Sequence, residues 1–236
     1  MPHKEFDVNG IGKIEIYKRR NNRSLRLTVA NDGSIRLTMP LWTPYRIGVA
    51  FLNSKIDWIS KQCQKRTKTL IYNGAPIGKS HHIFFKFIDD FVPVSCSIKQ
   101  NDIIVKYGLA NDINDTSVQS KAEAACFKAL KTQSLKLLDY RLKELAELHD
   151  FNFKQFKVKK LKSRWGSCDQ QHNLVFNIFL IQLPWNLIDY VILHELTHTK
   201  VLHHGPSFWN ELLKIEPKAK LLRKDLKMFH PNLLIA

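Results

Sequence analysis

Leu187-Ile188-Asp189-Tyr190-Val191-Ile192-Leu193-His194-Glu195-Leu196-Thr197-His198 is the stretch on which the reading of this chain turns. Asn186 ahead of it and the carboxylate of Asp189 read as a helix N-cap followed by an acidic first turn. Leu187, Val191, His194 and His198 recur at the spacing of one helical face. Two histidines four residues apart on a helix stand one turn apart and can aim ring nitrogens at a single metal ion. Glu195, next to the first of them, is placed to act as a base towards a metal-activated water without being a ligand itself. That is the layout of a zinc peptidase, with Zn2+ as the expected cofactor, His194 and His198 as ligands and Glu195 as the catalytic residue. A pair of core histidines satisfied by hydrogen bonds is the plainer alternative, and the further histidines close by weigh against it.

A catalytic zinc usually takes three protein ligands and keeps one position open. Four candidates for the third follow the motif: His203, His204, Glu211 and Glu216. Gly205-Pro206 should end the metal helix and open another, with Pro206 in its first turn and Phe208, Leu212 and Ile215 along its buried side. His204 then sits at the junction, where the chain turns back towards the metal. His203 could ride on the frayed end of the first helix, and either glutamate could reach across from the second. The residues alone lean to His204 and leave the other three open.

The chain carries a longer pattern. Ser163-Arg164-Trp165-Gly166-Ser167-Cys168 is followed by a strand-like Asn173 to Leu180 containing Asn177. Then come Asp189-Tyr190-Val191, the His194 to His198 motif, and His204-Gly205-Pro206-Ser207-Phe208-Trp209. In this it resembles the YgjP-like family of small zinc metallopeptidases, relatives of the SprT-like and WLM groups. The family's HExxH, five further residues and His-x-x-x-Phe-Trp fall on His194, Glu195, His198, His204, Phe208 and Trp209, which implies His204 as the third ligand. The resemblance extends to Arg23 to Pro40 and the helix after it. It departs at Gly205, where the family usually has Ser. The fold it implies is α+β: a zincin-like metallopeptidase domain of long helix, small sheet and HExxH helix, preceded by a β-rich amino-terminal part.

Working outward, Ile14 to Tyr17, Leu25 to Val29 and Ile35 to Met39 alternate apolar and polar residues, and Asn31-Asp32-Gly33 between the last two reads as a hairpin turn. Thr43-Pro44 should open one helix running through Ile59 to Cys63. Leu70 to Tyr72 and Ile83 to Ile88 read as strands flanking Asn73-Gly74, and Ile103 to Tyr107 as another. From Ser117 to His149 there is no Pro or Gly and Ala, Leu, Lys and Glu dominate, which predicts one long helix. It should pack behind a sheet of Phe156 to Lys162 and Leu174 to Leu180. A last helix follows Glu216-Pro217 and ends near Phe229. The expected division is residues 1–112, basic and β-rich with one helix, and residues 113–236, the metallopeptidase domain. No internal repeat is visible.

The chain has 236 residues, 44% of them hydrophobic, enough for a full core in one large domain or two small ones. Its apolar stretches fall short of the ~20 residues that span a bilayer, and Met1-Pro2-His3-Lys4-Glu5 has no apolar signal core. Cys63, Cys96, Cys126 and Cys168 form no Cys-x-x-Cys pair, so a cytoplasmic protein with reduced thiols is expected. The formal charge is +16, distributed as +10 over residues 1–80, −1 over 81–150 and +7 over 151–236. Lys18-Arg19-Arg20 with Arg23 and Arg26, and Lys154 to Arg164, are the densest basic runs, and they could face nucleic acid. The expected reaction is hydrolysis of a protein or peptide substrate. Arg164, Tyr190 or a backbone amide near Trp165-Gly166 would stabilise the oxyanion, and the Leu174 to Leu180 strand would offer an edge for an extended peptide. A protease acting on DNA-bound proteins and a zinc-stabilised binding module are the alternatives.

Overall fold

The computed structural model describes residues 3–8, 12–29, 35–64 and 70–233, with residues 13 and 61–64 as backbone alone. The expected turn at Asn31-Asp32-Gly33 lies outside the described residues. The chain forms two compact units, Met1–Thr69 and Leu70–Ala236.

In the first unit the alternation of Ile14 and Ile16 with Glu15 buries the isoleucines on one face. Strands β1 (His3–Val8), β2 (Gly12–Arg19), β3 (Arg26–Val29) and β4 (Ile35–Pro40) pair in the order β1-β2-β4-β3, parallel between β2 and β4 and antiparallel at both flanks. Leu37 and Met39 of β4 join that core. Over it lie α1 (Tyr45–Asn53) and α2 (Ile56–Gln64). A Cβ at Gly48 would come within 3.0 Å of the Met39 sulfur, so the missing side chain lets α1 approach the sheet. The single helix expected from Thr43-Pro44 is thus two. Ser54 turns its hydroxyl onto the Phe51 carbonyl, 2.8 Å away, competing with the helical ladder at the break.

The second unit begins with β5 (Ala75–Ile77), β6 (His81–Phe87), β7 (Ser95–Lys99) and β8 (Asp102–Tyr107), ordered β5-β6-β8-β7. The central pair is again parallel and the flanks antiparallel. The same four-strand topology therefore occurs twice in succession, a structural repeat that the sequence does not display. Leu70 to Tyr72 is not a strand; the β5–β6 turn falls at Gly78, whose φ of +69° only glycine adopts at ease. Gln133 seals that turn, its Oε1 accepting from the Lys79 amide at 2.7 Å.

Helix α3 (Thr116–Leu148), about 50 Å long at 1.5 Å per residue, runs over the stretch that lacks Pro and Gly. It ends in a Schellman motif with Asp150 left-handed (φ +51°) and the Phe151 amide donating to the Ala146 carbonyl at 2.9 Å. Ala122, Cys126 and Ala129 of α3 share one core with Ile83, Ile103 and Val105. The boundary expected at 112/113 consequently falls inside this unit, because α3 buries the first sheet as well as the elements that follow.

A three-stranded sheet comes next: β9 (Gln155–Lys159), β10 (Gly166–Cys168) and β11 (Asn173–Asn177), ordered β10-β11-β9. The strand expected to reach Leu180 stops at Asn177. There the side-chain oxygen accepts from the Phe179 amide at 3.2 Å and caps a 3-10 turn over Ile178–Gln182. Nor is β11 an edge; it lies between β10 (antiparallel) and β9 (parallel). The edge on the α4 side is β10. Helices α4 (Trp185–Thr197), α5 (Pro206–Ile215) and α6 (Ala219–Leu226) complete the chain. Among the described residues no helix is long and apolar enough to cross a membrane.

Candidate metal centre

Helix α4 starts at Pro184, whose carbonyl accepts from the Leu187 and Ile188 amides. Asn186 is therefore inside the helix and not its cap, since the fixed φ of proline suits the entry. Asp189 does not serve the first turn either. Its two oxygens each lie 2.7 Å from Arg141 Nε and Nη2 on α3, a bidentate strut that fixes α4 against the long helix. Most of the helix faces core. Leu187, Ile188, Val191, Ile192, Leu193 and Leu196 are buried, His198 is buried beside them, and His194 is half-buried.

The helix closes at His198 and the chain loops back through Val201 to Gly205, the extended N-cap of α5, with Pro206 in its first turn. The loop carries His204 to the face of α4 that bears His194 and His198. His204 Nε2 lies 2.9 Å from His194 Nε2 and 3.1 Å from His198 Nε2, and all three ligand atoms lie within 4.8 Å of one another. Tetrahedral zinc with Zn–N of about 2.0–2.1 Å would space its ligands about 3.3 Å apart. Two hydrogen-bond donors cannot share the single lone pair of a third imidazole nitrogen, whereas one cation serves all three.

The surroundings prepare the lone pairs. His198 Nδ1 lies 3.1 Å from the Val201 carbonyl, so its proton sits there and Nε2 is left as the acceptor. Burial, then the neighbouring imidazoles and Arg223, push the His194 pKa down to about 3, and burial lowers His198 and His204 as well. All three are neutral at neutral pH, as metal binding requires. His194 Nδ1 is buried without a hydrogen-bond partner, an unsatisfied atom on a residue whose other nitrogen faces the cluster. Fully buried Phe208 forms the floor, its ring 4.5–4.9 Å from each of the three imidazole centroids.

Glu195 is 6% exposed, and burial raises its pKa to about 8 against a lowering influence from Arg164. It is pressed against β10: a Cβ at Gly166 would lie 2.7 Å from its Cγ and Oε1. Arg164 is exposed in the loop before β10, and that loop is tied down by Asn177, whose Nδ2 donates to the Leu161 and Arg164 carbonyls at 2.9 and 2.8 Å. Tyr190, one turn before His194, is buried with its ring 5.8 Å from that imidazole, and burial pushes its hydroxyl up to about 12. The Tyr190 hydroxyl therefore keeps its proton at neutral pH and is a donor, as is the Arg164 guanidinium.

Of the other ligand candidates, Glu211 holds Lys214 at 2.6 Å and Glu216 accepts from the Lys218 amide at 3.0 Å. Neither they nor His203 join the cluster found among the described residues. Sequence reasoning missed the Val201 carbonyl and the Arg141 strut. The carbonyl has no side-chain signature, and the arginine lies 48 residues from Asp189.

Comparison with curated proteins yields no match. Two solved structures are similar in part. The metallopeptidase zymogen abylysin of Pyrococcus abyssi is 19% identical, with a TM-score of 0.36 over 41% of this chain and 98% of that one. The zymogen jannalysin of Methanocaldococcus jannaschii is 23% identical, with a TM-score of 0.35 over 38% of this chain and 93% of that one. The model of the YgjP-like metallopeptidase domain matches residues 23–229, reaching into both units, and the chain belongs to that family.

Proposed function

We propose that this protein is a zinc-dependent peptidase, with His194, His198 and His204 as metal ligands and Glu195 as general base. The observation that carries the reading is the convergence of three imidazole Nε2 atoms beside a buried carboxylate. Three neutral imidazoles with an open fourth position suit a borderline-soft catalytic ion rather than Ca2+ or Mg2+. Zinc bound there supplies a Lewis acid that acidifies water and polarises the scissile carbonyl.

The chain's own groups do the rest. Glu195 takes the proton of the attacking water and hands it to the leaving amine, a role suited by a carboxylate whose burial raises its proton affinity. Arg164, whose charge is felt at Glu195, and Tyr190, packed beside His194, are the side chains offered as donors to a developing oxyanion. An extended peptide pairs along β10, the free edge beside Glu195. The test is metal content. Purified protein should carry one zinc per chain, lost in His194→Ala, His198→Ala and His204→Ala and kept in His203→Ala. Zinc retained in the first three would refute the site.

A second reading concerns the first unit, where Arg19, Arg20, Arg23 and Arg26 are exposed without a carboxylate partner among the described residues. This supports contact with nucleic acid. Duplex binding should then fall steeply with salt and weaken when Arg19, Arg20 and Arg23 are reversed in charge; no binding at low salt would leave the charge to solubility.

A further inference from the structure

Between α5 and α6 runs a groove of about 530 Å³, lined by Pro206, Trp209, Asn210, Leu213, Lys220 and Arg223. It shares a wall with the metal centre. Trp209 packs edge-on against Phe208 at 5.6 Å, and Phe208 is the floor beneath the three imidazoles. The Arg223 guanidinium lies over the Trp209 ring, 5.1 Å from its centroid. Its charge is felt at His194, His204 and Tyr190.

What sets Arg223 apart is that its charge is unanswered. Arg141 sits between Asp189 and Glu144, whereas Arg223 and Lys220 have no carboxylate partner among the described residues. A guanidinium beside a cluster that is to hold a cation is repelled by it, and an anion arriving from outside relieves that repulsion. Stacking on an indole holds the planar fork in one orientation and leaves its N–H edge free, which suits bidentate capture of a carboxylate. Pro206, two residues after His204, lines the groove, and Trp209 joins it to the floor of the site, so a peptide held at the metal centre can extend into it.

We infer that Arg223, seconded by Lys220, binds a carboxylate of the peptide substrate in this groove beside the metal centre, giving preference for acidic substrates. The carboxylate is either an Asp or Glu side chain or the chain end. The inference rests on the peptidase reading and names its substrate class.

The test uses the full-length zinc-loaded chain and labelled peptides in matched pairs: Glu against Gln within the peptide, and a free against an amidated chain end. Affinity is read by fluorescence anisotropy on Glu195→Gln, which prevents turnover, and KM on the wild type. One charge-assisted, bidentate contact should favour the acidic member by about 10- to 100-fold. In Arg223→Ala and Arg223→Gln that ratio should fall to near unity, with Arg223→Lys restoring part of it and zinc content and melting point reporting the fold. Loss of preference in one pair only identifies the source of the carboxylate. The inference is overturned if the ratio is near unity in the wild type, if it survives in both Arg223 variants, or if a short oligonucleotide displaces the acidic peptide with the stronger Arg223 dependence. Hydrolysis without acidic preference removes this inference alone. Arg223-dependent acidic preference without any hydrolysis removes the peptidase reading and leaves the anion site.

Discussion

Replacing Gly166 by alanine tests how tightly the position of Glu195 is set. A Cβ on Gly166 would stand 2.7 Å from Cγ and Oε1 of Glu195 and 3.0 Å from Cδ, whereas ordinary contact begins at 3.4 Å. Either the carboxylate or β10 must therefore give way by about 0.7 Å. Gly166 has no positive φ, so alanine accepts its backbone and the side-chain contact is the whole effect. Glu195 is buried and has little room to retreat without leaving its place beside the metal ligands. A misplacement approaching 1 Å costs about 10²-fold in rate, equivalent to about 2.7 kcal/mol of transition-state stabilisation. Steady-state hydrolysis of a quenched peptide or a casein should show kcat down by about that factor, with zinc content and far-UV circular dichroism as in the wild type. Full activity in a folded, zinc-loaded Gly166→Ala would show that the close approach of β10 to Glu195 has no bearing on catalysis.

The Arg141 strut should matter to stability before it matters to chemistry. Arg141→Ala leaves a largely shielded Asp189 carboxylate without its partner and should cost about 1–3 kcal/mol, read as a lower melting point at about 2–4 °C per kcal/mol; an unchanged midpoint would show that α4 is held by apolar packing alone. In the metal-free chain Glu195, raised from its ordinary 4.5 to about 8, favours the folded state below pH 4.5 and loses that contribution as pH rises through 8. Glu195→Gln should therefore melt above the metal-free wild type at pH 9 and converge with it at pH 4.5, and an equal offset at both would dismiss the buried carboxylate as the cause. His194 works in the opposite direction. Its pKa is depressed to about 3, so the metal-free fold should weaken as pH drops below 6.5 towards 3, and His194→Ala should flatten that limb of the melting profile.

The long helix and the metal helix were legible because their signals are local. Thirty-three helical residues in a stretch without Pro or Gly coincide with α3 to within a residue at each end, and the spacing of His194 and His198 fixes their common face. The edge strands β1 and β7 were not legible. Most of the side chains of β1 and β7 are exposed, so no apolar alternation marks either strand. The helix starting at Pro184 was misread because Asn186 is the better cap by residue type, while the rigid proline decides the entry. The Leu174 to Leu180 run is apolar but for Asn177 and cannot announce that its first half is a strand and its second a 3-10 turn; the buried Asn177 between them makes that decision through three hydrogen bonds. The four candidates for the third ligand separated only with the loop path, which brings the imidazole of His204 to the other two. The division of the chain moved from 112/113 to 69/70 because a helix that looks like the start of a new domain also covers the sheet before it.

The most direct test of the central claim is the Glu195→Gln variant, assayed for zinc and for peptide hydrolysis on the same preparation. Glutamine keeps the shape of the side chain and removes its ability to take a proton. The account predicts one zinc per chain, a native melting transition and hydrolysis reduced by about 10²–10⁴-fold, the range for loss of a general base. Hydrolysis at the wild-type rate by zinc-loaded Glu195→Gln would contradict it.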